Sequence, residues 1–437
     1  MKKKNKRTFF TTFISVLAAG ILIICVFCLL LQGSEEVKED EPQMAEDAAD
    51  DTETALSEET EFAAAEKEPT VILEPEPEPE PEKTEEELLE EQVDLALQQM
   101  TLEEKVLQLF VITPEALTGS DAVTAAGDTT KDSIRQYPVG GLVYFAHNLK
   151  SPEQVREMLA NTRTFYEEAE YPVPFLSLDE EGGKVARIGS QPAFGVERFS
   201  DMAEVGRTGD TGEAERIGSV IGNYLADLGF NLDFAPDADV LTNPDNQVVK
   251  NRSFGSDPQL VADMALAEVK GMEENGVYAT LKHYPGHGAT LGDTHAGYAY
   301  TDKALEEMME AELVPFIAGI QEGIHFIMVA HISAPAVTGD ETPCSMSQYM
   351  ITEVLRNQLG YDGIVITDAM NMGAISQQYT SADGAVGALK AGVDIVLMPS
   401  DFHGAYEGVL AAVQAGELTE ERINESVRRI LRVKCGM

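Results

Sequence analysis

The chain has 437 residues, with 76 acidic and 31 basic side chains, and a formal net charge of −45. This length suits one barrel-sized domain or two ordinary domains. The charge balance leaves no basic patch in the body of the chain, which argues against nucleic-acid binding.

The first 33 residues have the pattern of a membrane anchor. Five basic residues in 2–7 precede a run of uncharged, mostly apolar residues over 9–31, and a helix of roughly 20 apolar residues can cross a bilayer. The basic flank stays inside, so we expect a single-pass protein of the cell membrane with its folded part outside the cell. Secretion after signal cleavage is the alternative, but the run is long for a signal peptide and lacks an A-x-A site.

Residues 34–84 form an acidic linker. Residues 34–91 hold 25 acidic and 3 basic side chains, and residues 74–82 alternate Glu with Pro. Such a segment cannot bury enough apolar surface to fold alone, and Pro-Glu repeats favour an extended chain. We therefore predict a disordered spacer, followed by one folded domain over 85–437.

Short apolar runs then alternate with longer helical stretches. An amphipathic helical pattern begins near Glu85, and Thr101 with Glu104 predicts a capping box. The predicted strands are 107–112, 139–145, 174–179, 231–235, 278–283, 326–331, 363–368 and 394–399. The predicted helices include 151–169, 211–228, 257–275, 303–323, 346–359 and 381–391. Eight strands alternating with helices predict an α/β fold of the (β/α)8 TIM-barrel type, with a doubly wound open sheet as the alternative.

Polar residues lie at or near the carboxyl ends of these strands. They are Asp179, Asp233, Lys282, His283, His331 and Asp368. In a barrel these ends converge on one mouth, where active sites are built. We therefore expect these side chains to face a common opening.

The stretch 279–297, ATLKHYPGHGATLGDTHAG, runs from a strand into a glycine-rich loop. There, Asp293 can orient His295 as an acid/base group. A zinc site built from His283, His287 and His295 is an alternative. Pro285 lies between the first two histidines, so they cannot share one helix face as a ligand pair would, and we expect no metal.

Asp368 follows a continuous apolar strand, where an ionised carboxylate is costly unless it is used or paired. Capping of a following helix is the alternative role. A carboxylate nucleophile opposite a proton donor such as His295 is the layout of a retaining glycoside hydrolase. Asp179, Arg187 and Arg252 have the charges and acceptors that a sugar cradle needs.

At this point the chain resembles the single-domain β-N-acetylglucosaminidases of glycoside hydrolase family 3. The motifs that carry the resemblance are LSLDEEGGKVAR (176–187), FAPDADV (234–240), NRSFG (251–255), KHYPGHG (282–288), DTH (293–295), MVAH (328–331) and ITDAMNM (366–372). The resemblance implies a barrel that removes non-reducing β-linked N-acetylglucosamine with retention of configuration and without a cofactor. By position it implies Asp368 as nucleophile and His295 as acid/base, oriented by Asp293. The sugar ligands that it implies are Asp179, Arg187, Arg252, Lys282 and His283.

The expected partners are a glycan containing N-acetylglucosamine, from the cell wall or of chitin type, and the membrane through the N-terminal helix. We expect a monomeric catalytic domain, with Cys344 and Cys435 as free thiols. The glycines that flank residues 293–295 predict a mobile loop. A phosphorylase with the same site and a non-catalytic glycan-binding barrel remain alternative functions.

Overall fold

The computed structural model describes residues 83–437 with the exception of Leu291. The strands are β1 (Phe110–Ile112), β2 (Gly141–Val143), β3 (Phe175–Leu178), β4 (Glu180–Gly182), β5 (Val185–Ala186), β6 (Leu232–Asp233), β7 (Thr280–Tyr284), β8 (Phe326–Val329), β9 (Ile364–Thr367) and β10 (Val396–Leu397). The α-helices are α1 (Glu85–Gln99), α2 (Leu102–Gln108), α3 (Pro114–Thr118), α4 (Asp128–Gln136), α5 (Pro152–Glu168), α6 (Met202–Gly206), α7 (Thr211–Leu228), α8 (Pro258–Glu273), α9 (Leu305–Met309), α10 (Val314–Gln321), α11 (Pro335–Thr338), α12 (Gly373–Ser376), α13 (Ser381–Ala391), α14 (Phe402–Gln414) and α15 (Glu420–Cys435).

Eight of the strands form a closed parallel barrel. Parallel pairing runs in the order β10, β1, β2, β3, β6 and separately in the order β7, β8, β9. Parallel bridges from Leu232 to Tyr278 and from Ile366 to Ile395 join the two groups at both edges. The strand residues are buried, as expected when helices cover a parallel sheet. The predicted barrel is therefore confirmed, and the open sheet is wrong.

The predicted helix start at Thr101 is also confirmed. The Thr101 hydroxyl accepts the Glu104 N–H at 3.2 Å, and the Glu104 carboxylate accepts the Thr101 N–H at 2.8 Å. A cap of this kind stabilises a helix by about 1 kcal/mol. It places α2 directly before the first barrel strand.

Two predicted helices differ in form. The stretch 303–323 contains α9 and α10, because Pro315 lies in the first turn of a new helix and could not sit inside a continuous one. The stretch 346–359 follows a 3₁₀ turn at Cys344–Met346 and is a π-helix over Tyr349–Gln358. The local sequence carries no feature that accounts for this wider winding.

An antiparallel hairpin follows β3, and sequence periodicity did not predict it. Strands β4 and β5 pair across a turn in which Gly182 and Gly183 have φ values of 79° and 56°. Glycine adopts this region without the steric penalty that a Cβ would bring. The turn brings the chain after β3 back over the end of the barrel.

The predicted anchor over 1–33 and nearly all of the linker over 34–84 lie outside the described residues. Among the helices that are described, none has the length and apolar character needed to cross a bilayer. Cys344 and Cys435 are free thiols, as predicted.

Candidate active site

A cavity of about 560 Å³ lies where the barrel strands end. Its wall contains all eight residues proposed from the sequence: Asp179, Arg187, Arg252, Lys282, His283, Asp293, His295 and Asp368. The barrel thus brings these side chains together from positions up to 189 residues apart in the chain. The chemical role of each residue stays a prediction.

Four of the eight residues form one network with a further residue, Glu181, which contacts two of them. Lys282 Nζ lies 2.6 Å from Glu181 Oε1 and 3.0 Å from Asp179 Oδ1. Arg252 donates from Nε and Nη2 to the two oxygens of Glu181, at 2.8 and 2.7 Å. Arg187 Nη2 donates to Asp179 Oδ2 at 3.1 Å. These contacts form one network of cations and carboxylates on one side of the cavity.

Glu181 and Lys282 are buried in this network, yet both remain charged. Burial opposes ionisation of Glu181, but Arg252 and Lys282 outweigh it and hold the pKa of this carboxyl well below its usual range. Burial would likewise lower the pKa of Lys282, but Glu181 and Asp179 raise it to about 12. Each charge is therefore kept by its partners, and the loss of one would leave the others uncompensated in a desolvated site.

The β4–β5 hairpin explains how this network forms. Asp179 follows β3, Glu181 lies within β4, and Arg187 follows β5. The turn folds the hairpin back so that Arg187 reaches Asp179, eight residues earlier in the chain. Lys282 comes from β7 on another part of the barrel, so the network fastens the hairpin to the barrel wall.

His283 is held as a neutral ring. Its Nδ1–H donates to Asp239 Oδ2 at 2.7 Å, and its Nε2 lies 3.2 Å from Arg252 Nη2, which is a donor. Burial, assisted by the Arg252 charge, lowers the pKa of His283 to about 4. At neutral pH the ring therefore presents a fixed tautomer to the cavity.

Asp368 is an ionised carboxylate at the end of β9. The Ala369 N–H donates to its Oδ1 at 2.7 Å. Burial alone would raise the pKa of Asp368, but electrostatic interactions with His283 and His331, together with this hydrogen bond and Lys282, bring it below its usual value. An ionised, partly desolvated carboxylate that lines a cavity is suited to act as a nucleophile.

The alternative role of Asp368 as a helix cap is wrong. The next helix, α12, begins at Gly373 and has Met372 at its N-cap position, without a side-chain hydrogen bond. Asp368 lies too early in the chain to cap it and instead lines the cavity.

Asp293 and His295 form a hydrogen-bonded pair on an exposed loop. The distance between His295 Nδ1 and Asp293 Oδ1 is 2.9 Å, and the His295 backbone N–H donates to the same oxygen at 2.9 Å. Burial raises the pKa of Asp293, but these two N–H groups outweigh it and lower the pKa. The pair fixes Nδ1 of the ring and leaves Nε2 as the nitrogen available for proton transfer.

We call residues 293–297 the dyad loop. It lies against the segment that follows Asp368: the Ala374 N–H donates to Thr294 O at 3.0 Å, and the Gly373 N–H donates to His295 O at 3.3 Å. The loop is therefore joined by its backbone to the chain that carries the carboxylate. Its mobility without ligand stays a prediction.

Two strand-end residues do not reach the cavity, contrary to expectation. Asp233 is fully buried within β6, where its Oδ1 accepts the Glu180 N–H at 2.9 Å. His331 bonds through Nδ1 to Ser345 Oγ at 2.8 Å and through Nε2 to Ala369 O at 3.1 Å. Asp233 Oδ1 and both ring nitrogens of His331 are therefore paired with neighbouring groups and do not face the cavity, and Asp233 Oδ2 is buried without a partner among the described residues.

Sequence reasoning left three carboxylates of the site without a role. Glu181 joins the cations, Asp239 orients His283, and Asp237 Oδ2 lies 3.3 Å from Arg252 Nε. All three lie inside motifs that the sequence analysis quoted. The high density of carboxylates in those motifs is visible in the sequence, but it does not show which side chains point into the site.

Among the residues that the structure describes, one trio could hold a metal ion: Asp237, Asp239 and His283, whose donor atoms lie within 4.8 Å of one another. An ion there would have to displace the hydrogen bond between Asp239 and His283. The three histidines considered as zinc ligands do not form such a group in this part of the chain.

Comparison with known proteins agrees with this geometry. Residues 101–433 match the family model described as the glycosyl hydrolase family 3 N terminal domain. This match confirms the resemblance inferred from the motifs.

The chain is 33% identical to Beta-hexosaminidase A of Pseudoalteromonas piscicida over 338 residues, covering 72% of this chain and 56% of that protein. It is 32% identical to a Beta-hexosaminidase of Hydrogenovibrio crunogenus over 301 residues, covering 67% and 81%. A solved glycoside hydrolase family 3 beta-N-acetylglucosaminidase from Paenibacillus sp. str. FPU-7 aligns with a TM-score of 0.72 and 36% identity, covering 77% of this chain and 63% of that one. The chain thus spans a little over half of the first of these relatives.

Proposed function

We propose, from the premise that this chain belongs to glycosyl hydrolase family 3, that it removes non-reducing terminal β-linked N-acetylglucosamine from glycans by retaining hydrolysis. The observation that carries the proposal is the joint placement of Asp368 and the Asp293–His295 pair in one cavity with a charged cradle beside them. The relatives, two beta-hexosaminidases and one beta-N-acetylglucosaminidase, support the sugar class.

In the first step, a carboxylate oxygen of Asp368 attacks the anomeric carbon and forms a glycosyl ester. The bond to the leaving oxygen breaks, and His295 supplies the proton that this oxygen takes up. The low pKa of Asp368 favours the ionised form that attack requires. The hydrogen bond to Asp293 holds His295 in the orientation for this transfer.

In the second step, His295 takes a proton from water, and the resulting hydroxide attacks the anomeric carbon. The ester bond to Asp368 breaks, and the sugar leaves with its original configuration. His295 is more than half exposed, with 66% of its side chain accessible, so water can reach it. An exposed acid/base group suits a step that consumes solvent.

The charged network offers a binding site for one sugar ring. Asp179 has acceptor oxygens for hydroxyl groups, and its position is fixed by Arg187 and Lys282. Arg252 and His283 present polar groups from the adjacent wall. Rigid, charge-assisted contacts of this kind give a polyhydroxylated ligand both orientation and specificity.

We further propose a cell-wall or chitin-type glycan as the substrate and the outside of the cell membrane as the location. Both rest on the predicted anchor over 1–33 and spacer over 34–84, which would hold the barrel near wall glycan. Recovery of the full-length protein in the membrane fraction, with the barrel sensitive to protease added outside intact cells, is the expected result. Recovery of a shortened protein from the medium would favour the cleaved, secreted form.

The activity is tested with an aryl β-N-acetylglucosaminide beside the matching aryl β-glucoside. We expect turnover of the first and little turnover of the second, and a loss of at least about 1,000-fold in Asp368→Asn, because the amide cannot form the ester. Asp121→Asn, which changes an exposed carboxylate outside the cavity wall, is the matched control and should retain activity. N-acetylglucosamine 1-phosphate as the main product in phosphate buffer would instead establish phosphorolysis.

A further inference from the structure

We propose that the contact between His287 and Thr294 holds the dyad loop in the position from which His295 transfers its proton, so that both are positioning residues. The inference rests on the proposed function, because it assigns a role relative to His295. Neither residue lines the cavity.

Thr294 is buried, although the residues on either side of it are exposed. It is 1% exposed, whereas the side chains of Asp293 and His295 on either side are 48% and 66% exposed. Its Oγ1 lies 3.2 Å from His287 Nε2, which is itself buried. The loop is therefore attached to the barrel through Thr294, which lies between the two members of the dyad.

Thr290 pairs with Nδ1 of His287, so that Nε2 pairs with Thr294. Thr290 Oγ1 lies 2.8 Å from His287 Nδ1 and 2.8 Å from the His287 carbonyl oxygen. In either neutral tautomer of the ring, Nδ1 is satisfied by Thr290 and Nε2 by Thr294, because a hydroxyl can donate or accept. Burial lowers the pKa of His287, which favours the neutral ring. Removal of the Thr294 hydroxyl would leave a buried nitrogen without a partner.

The same contact connects the dyad loop to a sugar ligand. Asp239 accepts the His287 backbone N–H at Oδ1, at 2.5 Å, and accepts His283 Nδ1–H at Oδ2, at 2.7 Å. One buried carboxylate thus fixes both the ring of His283 in the cavity and the chain from which His287 extends. On its other side, Thr294 accepts the Ala374 N–H, close to the segment after Asp368.

This arrangement predicts a selective defect. Loss of the Thr294 hydroxyl should displace His295 while leaving Asp368 and the sugar ligands in place, since no hydrogen bond joins any of them to Thr294. A misplacement of about 1 Å can lower a rate by about 100-fold. The defect should therefore be confined to reactions in which the leaving oxygen needs a proton.

The test compares kcat/KM for two substrates, because this constant reports the step that breaks the glycosidic bond. One is N,N′-diacetylchitobiose, whose sugar leaving group needs protonation, and the other is the 2,4-dinitrophenyl β-N-acetylglucosaminide, whose leaving group does not. For Thr294→Val we expect a loss of about 10-fold to 100-fold on the first substrate and less than about 2-fold on the second. Thr294→Ser, which keeps the hydroxyl, should restore most of the activity on chitobiose.

Thr162→Val is the matched control, because Thr162 is also 1% exposed but donates to Met158 O within α5, away from the cavity. It should not change the ratio of the two constants. Equal losses on both substrates in Thr294→Val, or no loss on either, would overturn the inference. Should Thr294→Val fail to fold, Thr294→Ala carries the same expectation, and a wild-type protein inactive on both substrates would reject the proposed function itself.

Discussion

Glu181 offers the sharpest test of the charged network. Glu181→Gln keeps the shape of the side chain but removes a carboxylate that makes contacts of 2.6 to 2.8 Å with Lys282 and Arg252. The side chains of Glu181 and Lys282 are 2% exposed and that of Arg252 is 15% exposed, so water cannot replace the lost charge. Breaking a buried ion pair by removing one partner costs about 3–5 kcal/mol. Because glutamine retains one acceptor oxygen, we expect a loss of about 3 kcal/mol in the free energy of unfolding.

Urea denaturation at neutral pH measures this loss. Glu215→Gln is the matched control, since it removes a carboxylate that contacts Lys270 at 2.8 Å on the exposed surface. We expect its effect to be too small to resolve, because solvent screens exposed pairs. Since the pKa of Glu181 is lowered in the folded protein, its ionised form stabilises the fold above the usual carboxyl pKa. That contribution declines as the pH falls below this value.

The same substitution should also disturb catalysis. Without Glu181, Lys282 and Arg252 repel each other and shift relative to Asp179, and we expect kcat/KM to fall by about 100-fold. A Glu181→Gln protein as stable as the wild type, or one that loses no more stability than Glu215→Gln, would refute the reasoning from burial.

Three further predictions concern Lys434, Asp293 and Asp239. Lys434 donates to Gln108 and Gly140 inside the protein, and burial lowers its pKa to about 7. Above pH 7 the unfolded chain therefore binds one more proton than the folded chain. The free energy of unfolding of the wild type, measured relative to that of Lys434→Met, should rise by about 1.4 kcal/mol per pH unit from pH 7.5 to 9.5. A difference between the two proteins that stays constant with pH in urea titrations would contradict this. Asp293→Asn should lower kcat/KM by about 100-fold on chitobiose and far less on the dinitrophenyl substrate, because only the first needs an oriented acid; equal losses would argue against the dyad. Asp239→Asn should raise KM for the aryl substrate, because asparagine has one acceptor oxygen for the two N–H groups, of His287 and of His283, that Asp239 accepts. An unchanged KM would count against that role.

The barrel could be predicted from the sequence because its signals are local. Each apolar strand ends at a recognisable break, and eight such strands alternate with helices. The strand ends also identified four residues of the cavity wall, Asp179, Lys282, His283 and Asp368, since parallel strands present their carboxyl ends on one side. The split of the predicted helix over 303–323 was open to the same reasoning, because Pro315 forbids a continuous helix there.

The arrangement of the site was harder to predict from the sequence, because the burial and pairing of its side chains depend on residues far apart in the chain. Asp233 and Asp368 look alike in sequence, each at the end of an apolar strand. Asp233 accepts the Glu180 backbone N–H and does not line the cavity, whereas Asp368 does. Glu181 lies 71 residues from Arg252, so its role emerges only when the β4–β5 hairpin returns to the barrel wall. Periodicity carries no information about such contacts.

The two halves of the proposed chemistry make opposite demands, and the structure separates them. A nucleophile must stay ionised and fixed, and Asp368 lines the same cavity as the network whose charges depend on one another. An acid/base group must exchange protons with leaving group and water, and His295 lies on an exposed loop attached to the barrel through Thr294. Substitutions in the network should therefore lower stability and activity together. Substitutions in the dyad that leave Thr294 in place should lower activity while the unfolding transition stays unchanged, because exposed side chains contribute little to the packed core.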